Sequence, residues 1–184
     1  MGVKKFEEIL TPRKEKSSSG DIPEYSVTNT GIHPRDLTFK KKLSMKGGAN
    51  KIIYENDLVF GMSREILNWG VMKDKIGGVS AAYHVFIVND AIPPIYLESY
   101  MKHRISYFDD LIRLSTREGQ GIDKVALMRK VIFLPPADLL NEFNAINDSI
   151  QRMGKNCSTE IEKLIEIRDT LLPKLMSGDV TYIV

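Results

Sequence analysis

At 184 residues, 42% of them hydrophobic, the chain has the length for one ordinary domain plus an extension and the apolar content for a core, which argues against disorder. Its one cysteine, Cys157, excludes an intrachain disulfide, and its place on an apolar stripe predicts a buried thiol in a reducing cytoplasm. The formal net charge of +2 hides an asymmetry: 21 Lys and Arg stand against 16 Asp and Glu up to Pro136, and 5 against 8 from Ala137 onward. A basic head on an acidic extension suits a polyanion such as DNA, and equally an ordinary solvated surface. The longest apolar run, Val79 to Val88, is far short of a bilayer span, and the N-terminus does not read as a leader, so a soluble cytoplasmic protein is expected.

In chain order, Val3, Phe6, Ile9 and Leu10 predict a short amphipathic helix over Met1 to Leu10. Thr11 to Asp21 is a polar loop containing Lys14 and Lys16. Ile22 to Ile32 predicts a first strand that ends at Asn29, Thr30 and Gly31. Lys40, Lys41, Lys42, Lys46 and Lys51 then surround a Gly47-Gly48 turn, the most basic loop of the chain, read either as phosphate-contacting or as solvated. Asn56-Asp57 is a turn before a buried strand, Leu58 to Phe60.

Gly61 to Gly70 predicts a polar loop with Arg64, Asn68 and the only tryptophan, Trp69. Arg and Asn can pair with guanine and adenine edges, so the loop is a candidate for base readout, while a lone Trp69 next to Gly70 reads more readily as a hydrophobic anchor. Val79 to Val88 predicts one strand, with His84 a satisfied core histidine more than a ligand. After Pro93-Pro94, the apolar spacing over Ile95 to Leu114 predicts a helix, broken near Ser106. Ser115 to Gly121, with Arg117 and Gln120, is a polar loop; Ile122 to Met128 is a short helix with Asp123 near its start; Val131 to Leu134 is a last strand, stopped by Pro135-Pro136.

Beyond the proline pair the period changes. Phe143, Ile146, Ile150, Met153, Cys157, Ile161, Leu164, Ile167 and Leu171 recur at about three and a half residues, the seam of a coiled coil that one helix cannot bury alone. These nine are the expected dimerisation residues. Gly154 and a Thr159/Glu162 capping box are weak points, yet the stripe keeps its course through them, which favours one helix of some 35 residues, about 50 Å long at 1.5 Å per residue. Pro173 is expected to kink or end it, and Gly178 to stop it. The fold class is therefore α+β, a globular head at 1–136, a long coiled-coil helix at 137–178 and a tail at 179–184.

Catalytic constellations are missing from the sequence. Ile92-Pro93-Pro94-Ile95 lacks both functional ends of the Asp/Asn-Pro-Pro-aromatic tetrad with which amino-methyltransferases hold a flipped base. No acidic residue stands two before a lysine, as the common nuclease pattern needs. His33, His84 and His103 lack metal-ligand spacing, and no glycine-rich phosphate loop occurs. A chain that is not itself an enzyme, with no catalytic residue, no metal and no cofactor of its own, is expected.

The run Arg168-Asp169-Thr170-Leu171-Leu172-Pro173-Lys174-Leu175-Met176-Ser177-Gly178-Asp179, preceded by a long helix and by Leu134-Pro135-Pro136, resembles the end of a target recognition domain and conserved helix in the specificity subunit of type I restriction-modification systems. The order of strands and loops in the head is similar to that family's recognition domain. The resemblance implies a DNA-specificity subunit whose recognition domain reads one half of a split target. It also implies partners: methyltransferase subunits that bind S-adenosylmethionine and methylate adenine N6, and a restriction subunit that uses ATP and Mg. In that family a full subunit carries two such domains and two such helices, paired antiparallel. This chain has one of each, and after Pro136 it reads Ala-Asp-Leu-Leu-Asn-Glu-Phe where many members have an acidic residue followed by Gln. A half-length subunit implies a second copy of itself and an inverted-repeat target. Lys40, Lys41, Lys42 and Lys46 are the expected phosphate contacts, and Arg64, Asn68, Arg117 and Gln120 the expected base contacts on double-stranded DNA. The competing reading is a scaffold whose helix docks partner subunits while the head binds no DNA.

Overall fold

The computed structural model describes residues 2–17, 22–35, 50–63, 65–90, 92–112 and 121–177. It is an α+β structure that divides into two compact units, Met1–Leu140 and Asn141–Val184.

The first unit is built around a four-stranded antiparallel sheet in the order β2 (Leu10–Pro12), β9 (His84–Val88), β6 (Leu58–Phe60), β7 (Trp69–Val71). Both faces of this sheet are covered, which is why Leu58-Val59-Phe60 reads as an unbroken apolar run. Leu58 and Phe60 point into the larger core with Phe6, Phe86, Leu97, Met101 and Phe108, whereas Val59 points the other way, into a smaller core with Tyr25, Val27, Ile53, Val79 and Val85. Alternate residues thus serve opposite faces, as strand pleating requires.

The larger core is closed by helical segments. α1 (Phe6–Ile9) is a single turn, α2 is Pro94–His103, a 3-10 helix covers Ile105–Leu111, and α3 is Lys124–Arg129. Asp123 caps α3: its Oδ1 accepts from the amides of Val125 at 2.9 Å and Ala126 at 3.0 Å, two donors that a helix start leaves without partners. The smaller core is closed by two hairpin-like pairs, β3 (Tyr25–Thr28) with β4 (Gly31–Pro34) and β5 (Lys51–Tyr54) with β8 (Ile76–Val79). Finally β1 (Gly2–Lys5) pairs antiparallel with β10 (Val131–Leu134), placing Gly2 opposite Leu134.

Several elements differ from the sequence expectation. Met1 to Leu10 is not one helix: strand pairing with β10 claims Gly2–Lys5, and only the turn that buries Phe6 and Ile9 stays helical. The strand expected over Ile22 to Ile32 is β3, which ends at the expected turn of Asn29 and Thr30, but the chain then pairs back at once as β4 from Gly31, at φ 124°. The Thr11 to Asp21 loop begins as β2. Trp69 and Gly70 leave the expected loop and form β7, with Trp69 buried in the larger core, the anchor reading of that residue. Val79 to Val88 is two strands, β8 and β9, separated by a turn in which Tyr83 N donates to Ser80 O at 3.0 Å. The helix over Ile95 to Leu114 is divided at Arg104 (φ −116°, ψ 38°), two residues before the expected break, and continues as a 3-10 helix.

The second unit belongs to α4, Ala137–Ser177, one helix of 41 residues with no buried residue. At 1.5 Å per residue it is about 60 Å long, longer than expected. Gly154 does not interrupt it, and Thr159 does not restart it, since Thr159 Oγ1 donates back to Lys155 O at 3.1 Å instead of capping. Pro173 does not end it either: the helix runs four residues further, so the missing amide costs one hydrogen bond close to the terminus. Cys157, expected to be buried, is exposed in the single chain.

Candidate nucleic-acid interface

The head's cations converge on a groove of about 280 Å³ lined by Arg13, Lys14, Lys16, Lys51, His84 and Lys124 together with Pro12, Val85 and Phe86. Four elements supply it. The chain leaving β2 runs antiparallel to the start of β5, through Ser17 N to Asn50 O at 2.7 Å and Ile52 N to Glu15 O at 3.1 Å, and this sets Lys16 opposite Lys51. His84 opens β9, and Lys124 is the first residue of α3. Among the described residues that line the groove none is acidic.

Positive charge here is concentrated and only partly compensated. Arg13 is held from behind: its Nε donates to Asp57 Oδ2 at 2.7 Å, its Nη2 to Oδ1 at 3.0 Å, and its guanidinium lies 4.6 Å from the centre of the Tyr54 ring. The hydrogen bond to Asp57 is the main reason its pKa is raised. Asp57 is buried, and its Oδ2 also accepts the Tyr54 amide at 2.9 Å, so the pair fixes the turn at Asn56 as well as the groove wall. Lys51 donates to the carbonyl of Tyr83 and has a lowered pKa, through burial first and then the charges of Lys124 and Lys16. Burial, then Lys124 and Lys51, brings His84 down to about 4. The lowered pKa values of Lys51 and His84 reflect, after burial, the crowding of positive charge here, and with the exposed Lys14, Lys16 and Lys124 beside them the groove is a place where an anion relieves that crowding.

Of the residues expected to touch DNA, Lys40, Lys41, Lys42, Lys46, Arg64, Arg117 and Gln120 lie outside the described residues. Asn68 is described, and it holds its own loop together. Its Nδ2 donates to Met62 O at 2.6 Å, its amide donates to Ser63 Oγ at 2.8 Å, and its carbonyl accepts from Gly61 N at 2.8 Å. Of the groove residues only Lys51 belonged to a stretch read from the sequence either as phosphate-contacting or as solvated. Lys14 and Lys16, two apart, carried a strand-like same-side signal, but their meeting with Lys51, His84 and Lys124 depends on strand pairing over more than a hundred residues.

A second, smaller depression of about 200 Å³ lies between the β3–β4 turn and α2, floored by Trp69 and Gly70 and edged by Glu98 and Lys102. Glu98 is bridged by Lys73 and by Lys102, the latter at 2.7 Å. Burial pushes the Glu98 carboxyl up, but hydrogen bonds from Lys102 and Lys73, with their charges, outweigh it and leave the pKa lowered. That carboxylate is committed to its lysines.

On α4 the nine apolar positions expected to pair stand outward. Ile146, Ile150, Met153, Ile161, Leu164, Ile167 and Leu171 each keep 45–64% of their surface exposed, Cys157 is exposed and Phe143 is half-buried. Among the described residues no group of three or more His, Cys, Asp or Glu could hold a metal ion, and no helix is long and apolar enough to cross a membrane. No protein-family model matches the chain, and no curated protein matches it.

Proposed function

We propose that the chain carries one recognition domain and one conserved helix of a DNA-specificity subunit of a type I restriction-modification complex, working in the cytoplasm. The observation that carries the reading is α4, a 41-residue helix with a continuous line of exposed apolar side chains and no buried residue. A line of that length on a single helix is a surface for another helix, since leaving it in water forfeits the hydrophobic gain of every residue on it. The resemblance of Arg168 to Asp179 to the family's helix end supplies the identity of the assembly, and the cationic groove of the head supplies a surface suited to the DNA backbone. In this reading the head contacts one half of a bipartite target, a second copy contacts the other, and the paired helices hold methyltransferase and restriction subunits. Methylation and cleavage, with S-adenosylmethionine, ATP and Mg, belong to those partners.

The test is methylation-site sequencing in a host that expresses this chain with an adenine methyltransferase of the type I class. Two identical heads related by a twofold axis must read identical half-sites, so a palindromic split motif is expected. Methylation of a non-palindromic motif would show that the heads are not identical copies. Methylation that appears only with the chain, combined with loss of retardation of target DNA by the head, would favour the scaffold reading instead.

A further inference from the structure

The cationic groove of the head has a histidine in its wall, and the elements around that ring bring charge of a single sign. His84 opens β9. The register of β2 on β9, Pro12 opposite Phe86 and then Arg13 N donating to Val85 O at 2.9 Å, carries Lys14 toward the ring. Lys16 and Lys51 arrive together through their own bridge, and Lys124 comes from the start of α3. On the other flank of β9 the residue opposite His84 is Phe60 of β6, which carries no charge. The carboxylates joined to this wall, Asp57 and Glu15, lie against Arg13 at 2.7 Å and 3.7 Å and are not among the residues that line the groove. A proton on His84 therefore meets repulsion from the lysines and no carboxylate of the lining to offset it. Burial, then Lys124 and Lys51, accordingly hold the ring at about 4, neutral at ordinary pH. An anion among the lysines removes that obstacle and gives the charged ring an acceptor. A further lysine at this position would keep the empty groove charged at all times; a histidine lets it gain the charge only when it is filled.

We propose that a phosphate group seated in this groove is bound by His84 as a protonated donor, alongside Lys16, Lys51 and Lys124, so that phosphate and proton enter together. This rests on the reading of the groove as a contact for the DNA backbone and deepens it. Lysines make such a contact sensitive to salt, and His84 makes it sensitive to pH. Affinity should rise as pH falls below the value at which the bound ring titrates, by at most about tenfold per pH unit, and level off near the free ring's value of about 4.

The chain has three histidines, so the ring can be followed by NMR in the full-length protein, free, with a short random-sequence duplex, and with inorganic phosphate. His84→Gln assigns its signal by the loss of one resonance; should that chain not fold, His33→Gln and His103→Gln assign it by elimination. Retardation of the same duplex at low salt is measured alongside. The His84 ring should titrate about 1–3 pH units higher with duplex than without, the ordinary effect of an opposite charge beside an ionising group. A rise with inorganic phosphate but not with duplex supports the phosphate site and removes it from the DNA reading. Retarded duplex with no rise under either ligand overturns the role of His84 and leaves the DNA reading standing. No retardation and no rise overturns both.

Discussion

His84 is neutral in the folded head over the whole physiological range, and it is neutral at a cost that depends on pH. With a folded pKa of about 4 against an ordinary 6.5, the unfolded chain takes up the proton first as pH falls. Stability is therefore lost progressively between about pH 6.5 and about pH 4, and above that window the group contributes no pH dependence. A His84→Gln variant should show a flatter urea midpoint between pH 6.5 and 5 than the parent, with the two converging above pH 7.5. An anion in the groove reverses the sense, because it favours the protonated ring; proton uptake on binding is the expected signature. The neighbouring Arg13–Asp57 pair behaves differently. It is bidentate, with Asp57 buried and Arg13 half-buried, so removing the carboxylate leaves a partly desolvated charge rather than a lost surface contact. Asp57→Ala should cost about 3 kcal/mol in chemical denaturation, well above the ~1 kcal/mol of a neutral hydrogen bond. A loss no larger than that of an exposed pair would mean that Arg13 finds water or Glu15 instead.

At the scale of elements, close backbone approach decides more than propensity does. A Cβ on Gly70 would sit 2.8 Å from Ile32 Cγ1 and 3.0 Å from the Ile32 amide nitrogen, so β7 and β4 meet at a distance only glycine permits. Gly70→Ala should lower stability by about 1–3 kcal/mol, the ordinary cost of overpacking, and thermal unfolding followed by Trp69 fluorescence reports it at the strand concerned. Gly154 is the opposite case, with nothing within 4 Å of the added atom. The same contrast explains what was legible beforehand. Elements with strong local signals were readable: Leu58 to Phe60, the short helix behind Asp123, Val131 to Leu134 and the long helix after Pro136. Those decided by a distant partner were not. Val3, Phe6, Ile9 and Leu10 have helical spacing, yet β1 is a strand because β10 lies beside it, and Trp69 looks like a loop residue until β6 pairs with it.

On the scale of the molecule the charge asymmetry acquires a location. The basic excess of the head includes the groove where Lys51 and Lys124 stand near His84, and sequence alone could not place it because the contributing residues span Arg13 to Lys124. If this groove tracks the DNA backbone, replacing Lys51 or Lys124 with Ala should weaken binding to target and random duplex alike, and lower the slope of log affinity against log salt by about 1 each. A loss confined to the target sequence would assign the groove to base readout. Asn68, by contrast, is engaged with its own loop, and its truncation should appear first as lost stability rather than as altered sequence preference.

The pairing of β1 with β10 bears on how such a protein can be rearranged. Gly2 faces Leu134 across two strands, so the chain enters the head and leaves it for the rod at neighbouring points. A unit with adjoining ends can be cut out and set into another chain as a cassette, with two short junctions and no change in the path of its host. An exchange that keeps both strands would carry a new head onto an old rod, and one that separated β1 from β10 would deliver the same loops without the clasp that holds them.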